Sequence, residues 1–179
     1  MVNLPDLILT PTFEQPPTLG AARFICVDGP AGSGKTTLGR ALASAEGTRL
    51  VHMDDLYPGW DGLAAVDEHV LGLVTPLAAD QPGSYRRYDW DLDEYAETVT
   101  VSPSPLLVLE GVGSGNSAWS HLITTLVWVE APDDVRLRRG LDRDGEHARE
   151  HWLSWMEQET SLFAREATRE RADFIIDAS

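Results

Sequence analysis

The chain has 179 residues, 42% of them apolar and six of them tryptophan, enough for a single packed core and too apolar for a disordered polymer. Its net charge of −15, from 14 basic and 29 acidic residues, argues against nucleic acid or an anionic membrane surface as a partner. Cys26 is the single cysteine, which excludes an intrachain disulfide and suits a reducing cytoplasm.

Residues 1–22 are proline-rich, lack a basic start and hold only a short apolar run. They read as an arm packed on the domain, not as a signal peptide, and no stretch of the chain is apolar for long enough to span a membrane. Residues 23–179 read as one domain. Short apolar runs at 24–27, 50–53, 106–109, 126–129 and 174–176 are continuous, not alternating, as expected of five strands buried on both faces of a parallel sheet.

Helical patterns lie between the runs. Leu38 and Leu42 mark the inner face of a helix ending near Gly47, and Asp133 or Asp134 could cap a helix carrying Val135, Leu137 and Leu141. A longer amphipathic helix is expected from about Glu146 to Arg169, with Trp152, Trp155, Met156, Leu162 and Phe163 inward. Strands alternating with helices predict a three-layer α/β/α domain. The second and third strands are separated by the long segment 55–105, far beyond an ordinary crossover, which reads as a helical, acceptor-binding insert.

The densest chemical signal is GPAGSGKTT, Gly29 to Thr37, which follows the first strand and opens the first core helix. The pattern Gly29-x-x-x-x-Gly34-Lys35-Thr36 is a phosphate loop, matched by chance in a chain this long roughly once in two hundred. Gly29, Ala31, Gly32, Ser33, Gly34, Lys35, Thr36 and Thr37 would present backbone N–H groups and hydroxyls to phosphates at the helix N-terminus. Lys35 is the only lysine beside thirteen arginines. A compact ammonium can reach β- and γ-phosphate oxygens from within a tight loop, where a planar guanidinium would not fit. Asp28, Asp54 or Asp55, and Glu110 fall at strand ends, and in a doubly wound sheet the carboxyl ends gather at the ligand-binding edge.

Together these residues resemble the uridine kinase and phosphoribulokinase-like group of phosphate-loop kinases. The matching features, in chain order, are the phosphate loop, Asp54-x-Leu56-Tyr57, Glu110-Gly111, Arg136-Leu137-x-Arg139-x-x-x-Arg143-Asp144, and Ala172-Asp173-Phe174-Ile175-Ile176. The resemblance implies a phosphate-loop NTPase fold and transfer of the γ-phosphate of ATP, with Mg²⁺, to a hydroxyl of a small polar metabolite such as a nucleoside. It implies that Asp54 orients and deprotonates that hydroxyl, and that Thr36 and Glu110, with Asp54 beside them, hold the metal. Arg139 and Arg143 would close over the γ-phosphate from an arginine-rich lid at 133–150. Gly140 departs from the family's paired arginines, and Leu56 replaces its Phe. The short segment after the fifth strand leaves little of the loop that contacts adenine in the family.

Within the insert, Tyr57, Arg87, Tyr88 and Trp90 are the candidate acceptor contacts, weighed against a tryptophan-rich minor core. Trp152 and Trp155 read as core, and His147 and His151, four residues apart with no third ligand, as exposed histidines, not a zinc pair. A rival reading makes the chain a nucleotide-dependent switch or partner-binding ATPase. A nearer one gives the kinase a sugar acid, a pantothenate-like alcohol or a nucleotide, and an anionic acceptor would require Arg86 and Arg87.

Overall fold

A computed structural model describes residues 3–179 of the chain, and Met1 and Val2, the start of the expected arm, lie outside the described residues. The described arm opens with a helix, α1 (Leu4–Glu14), capped by Asn3, whose side chain accepts from the Asp6 amide at 2.9 Å. Its inner residues Ile8 and Thr12 are buried, and Thr12 hydrogen-bonds Thr125 at 2.8 Å, so the arm is docked on the sheet.

The core strands are β1 (Arg23–Asp28), β2 (Thr48–His52), β5 (Leu106–Glu110), β6 (Thr125–Glu130) and β7 (Phe174–Asp177). They form one parallel sheet in the order β2-β5-β1-β6-β7, as the five apolar runs predict. Alternation along a strand sends successive side chains to opposite faces. Ile25, Val27, Leu106 and Val108 therefore pack with Ile8 of α1 and with Leu38 and Leu42 of α2 (Lys35–Leu42). Phe24, Cys26, Leu107 and Leu109 pack on the other face against α3 (Asp67–Ala78) and α5 (Arg149–Glu166). Two apolar cores on one sheet make three layers.

Helix α4 (Asp133–Asp144) has Pro132 at its N-cap position, and neither Asp133 nor Asp134 caps it. Both instead lie in its first turn, where negative charge favours the exposed N–H groups. The long helix expected to Arg169 breaks at Ala167, which takes the left-handed conformation (φ 48°), before the short α6 (Thr168–Arg171). Within the insert, α3 buries Val70, Leu73, Val74 and Leu77 at helical spacing. Beyond that expected helix lies an antiparallel hairpin, β3 (Gly83–Asp89) and β4 (Glu94–Val101), with a register shift between Arg86 and Tyr88. No helix among the described residues is long and apolar enough to cross a membrane.

Candidate active site

The phosphate loop joins β1 to α2 at the carboxyl edge of the sheet. Gly29 has φ +135°, and a Cβ there would stand 2.0 Å from the Val129 carbonyl oxygen, so glycine is required by both backbone and space. Among the described residues, the amides of Gly32, Gly34, Lys35 and Thr36 donate to no protein acceptor, which leaves a row of N–H groups for an anion at the helix start. Lys35 is 7% exposed, and its Nζ donates to the Pro30 carbonyl at 2.8 Å. Burial lowers its pKa; the charges of Glu110, Glu159, Asp28 and Asp54 oppose that fall. Ser33 is fully buried with an unpartnered hydroxyl, and Thr37 is exposed outside the cleft.

Two carboxylates brace the loop from beneath. Asp28 accepts from the amides of Gly29 (2.7 Å), Gly113 (2.8 Å) and Gly115 (2.8 Å). Burial nevertheless pushes its pKa up to about 6, so desolvation outweighs the three donors. Glu159 of α5 accepts from the Ala31 amide at 2.8 Å and from Arg136 Nη1 at 2.7 Å, while the same Nη1 donates to the Ala31 carbonyl at 2.9 Å. Arg136, first of the lid arginines in the sequence motif, is thus a buried strut of the loop.

Across from the loop, Glu110 ends β5 and is 4% exposed. It accepts from Thr36 Oγ1 at 3.1 Å and is paired with His52 Nδ1. Asp54 sits in the turn after β2 and opens onto the cleft. The protein around it raises its carboxyl above the ordinary range, as does the Glu110 charge, while Lys35, Arg143 and His52 pull it back. No group of three or more His, Cys, Asp or Glu side chains among the described residues is arranged to hold a metal unaided. Mg²⁺ does not need one, since it takes one or two carboxylates together with substrate phosphates. The hard oxygens of Thr36, Glu110 and Asp54 on the phosphate side fit that ion.

These groups line a cleft of about 790 Å³. Lid residues Arg139 and Arg143 reach it from α4. Arg139 donates to the carbonyls of Gly32 (3.4 Å) and Ala178 (2.9 Å). Arg143 makes a two-pronged pair with Asp144 (2.7 and 2.9 Å) and lies 5.7 Å over the Trp152 ring. The same cleft carries an aromatic wall of Tyr57, Trp60, Trp90, Trp152 and Trp155. Trp60 is its hub, stacked on His151 (5.4 Å, 13°) and edge-on to Trp90, Trp152 and Trp155. Tyr57 is buried and donates to the Val112 carbonyl. Trp90 Nε1 donates to the Asp54 carbonyl at 2.8 Å, which ties the hairpin tip to the acid.

Of the expected acceptor contacts, Tyr57 and Trp90 line the cleft and Arg87 and Tyr88 do not. Cross-strand pairing explains the difference. Arg87 is held by Glu97 (2.7 Å) on β4 and by Asp89 (3.3 Å). Tyr88 is buried behind Trp90 with its hydroxyl on Asp93 at 2.6 Å. His147 and His151 are exposed, but onto the cleft. Trp152 and Trp155, read as core, are buried and form part of the cleft wall. Glu159, the loop's brace, went unread: nothing local marks one glutamate of α5, and only its depth on an inner helix face could have flagged it.

A family model described as an AAA domain matches residues 25–161. Solved structures with this fold include a possible uridine kinase from Bacillus stearothermophilus, with TM-score 0.68, 23% identity, and 97% of each chain covered. A candidate fructose transport system kinase from Silicibacter sp. TM1040 superposes with TM-score 0.74 at 20% identity, over 98% of this chain and 99% of that one. Shikimate kinase from Acinetobacter baumannii, in complex with shikimate, gives TM-score 0.52 at 16% identity, over 88% and 84%. No curated protein matches the chain significantly.

Proposed function

We propose that this chain, which belongs to the AAA domain family, is a kinase that transfers the γ-phosphate of ATP to a hydroxyl of a small polar acceptor. The observation that carries the reading is one cleft that joins a phosphate cradle to a carboxylate and an aromatic wall. A fold shared with structures described as kinases supports it.

The chemistry follows from the side chains. The free amides of the loop take the triphosphate, and Lys35 turns from the Pro30 carbonyl to the β- and γ-phosphate oxygens. Thr36, Glu110 and Asp54 would hold Mg²⁺, which when bound neutralises phosphate charge. Asp54 orients the acceptor hydroxyl and accepts its proton as the oxygen bonds to the γ-phosphorus. The bond from that phosphorus to the β,γ-bridging oxygen breaks, and ADP leaves with the electron pair. Arg143, whose charge already reaches Asp54, and Arg139 stabilise the transferring group. The setting that raises the Asp54 carboxyl above its ordinary range makes it a better proton acceptor than a free carboxylate. The acceptor on this reading is a hydroxyl compound, a nucleoside if the uridine-kinase resemblance extends to the insert.

ADP release from Mg-ATP over a panel of hydroxyl compounds tests the reaction. Asp54→Asn is expected to lower acceptor-dependent release about 10²- to 10⁴-fold while ATP affinity measured calorimetrically stays within a few-fold. An undiminished rate in the variant, or ADP formation indifferent to every acceptor, would overturn the proposal.

A further inference from the structure

The cleft is electrically polarised. Its permanent cations are Lys35 and Arg139 beside the phosphate loop and Arg143, which lies over the Trp152 ring and is already matched by Asp144. Beyond Asp54 the lining adds the carboxylates of Asp55 and Asp91, the imidazoles of His147 and His151, and the aromatic wall. Neither Asp55 nor Asp91 forms an ion pair among the described residues. The arginines that could have received an anionic acceptor are spent elsewhere. Arg86 donates to the Tyr95 (2.7 Å) and Ala96 (3.1 Å) carbonyls, and Arg87 is paired with Glu97.

Resting on the kinase reading above, we infer that the acceptor is a hydroxylated amine, a small alcohol or amino sugar with a protonated nitrogen held between Asp91, Asp55 and the tryptophan wall. Three observations converge on it. A carboxylate or phosphate on the acceptor would meet three carboxylates, Asp54, Asp55 and Asp91, a repulsion of like charges at close range. Tryptophan rings attract cations through their negative faces, and Trp90, 40% exposed, presents such a ring next in sequence to Asp91. A flat neutral base would need an open ring face for stacking, whereas the hub residue Trp60 already has one face covered by His151 at 5.4 Å.

The transferred atoms are those of the kinase step: the hydroxyl oxygen bonds to the γ-phosphorus, its proton passes to Asp54, and ADP departs. The amine takes no part beyond its charge.

The test is ADP release from Mg-ATP with matched acceptors: glucosamine and 2-aminoethanol as amines, glucose and uridine as neutral hydroxyl compounds, gluconate and glycerate as anions. Amines are expected to give the highest kcat/KM, with KM rising as salt is added. Asp91→Asn should raise the amine KM roughly tenfold and leave kcat and the KM for ATP within about twofold, and Asp91→Glu should restore the amine KM. Best turnover with uridine, glucose or an anion would overturn this inference and leave the kinase reading intact. An amine KM indifferent to both salt and Asp91→Asn would overturn it as well. No stimulation by any acceptor would remove the kinase reading and this inference with it.

Discussion

Asp28 is a single carboxylate on which the geometry of the phosphate loop hangs, since its two oxygens order three backbone amides from separate turns. Its pKa rises from 3.8 to about 6 because burial outweighs those donors. Between those values the folded protein keeps a proton that the unfolded chain has lost. The stabilising contribution is therefore complete below about pH 4 and lost as pH rises through 6, a change on the order of 3 kcal/mol. Urea denaturation at pH 4.5 and 6.5 should show this decline in the native protein and a flatter profile in Asp28→Asn, and equal slopes would refute it. At the next residue, Gly29→Ala meets the Val129 carbonyl and is expected to lose more than about 2 kcal/mol in the same assay. Residues of this kind were legible because their constraint is local: a strand end, a glycine-rich turn and a lysine are adjacent in the chain. Arg87 was not, because its partner Glu97 lies across a hairpin whose register shift no spacing rule reveals.

At the scale of elements, α4 and α5 meet the phosphate loop through the Arg136–Glu159 pair, both residues at 5% exposure or less. Burial raises the Glu159 pKa despite its partners, Arg136 and the Ala31 amide, so the pair is costly to form and worse to break. Glu159→Ala strands a buried guanidinium and should lower stability by about 3–5 kcal/mol, read as a fall in Tm. Arg136→Met together with Glu159→Leu should recover much of that stability, yet bind ATP more weakly because the Ala31 amide loses its acceptor. Gly140, where the related family has an arginine, also finds its reason at this scale. A Cβ there would stand 2.3 Å from the Trp152 ring, so α4 and α5 touch through the missing side chain. Gly140→Arg is expected to unseat α4 and lower Tm more than Arg138→Ala, a change on the exposed side of the same helix. The core strands were readable from apolar runs, and α2 and α5 from helical spacing. The hairpin was not, since its strands mix charged and aromatic residues around one register shift.

The whole molecule is a doubly covered sheet with its chemistry gathered at one edge, and the cleft has one wall from the sheet edge and another from α4, α5 and the insert. Phosphate loop and strand-end acids follow from sequence order and sheet topology together. The aromatic wall does not, because Trp60, Trp90, Trp152 and Trp155 come from three distant stretches that only folding brings together. That gathering has an optical consequence. Four of the six tryptophans line the cleft, whereas Trp119 and Trp128 are buried outside it. Their indole emission is dominated by the place where substrates would sit, and Trp90 is wired to the backbone of Asp54. The protein thus carries its own fluorophore array. Excited near 295 nm, it should report occupancy of the cleft by a change in intensity and wavelength without any label, and Trp90→Phe should mute that signal most.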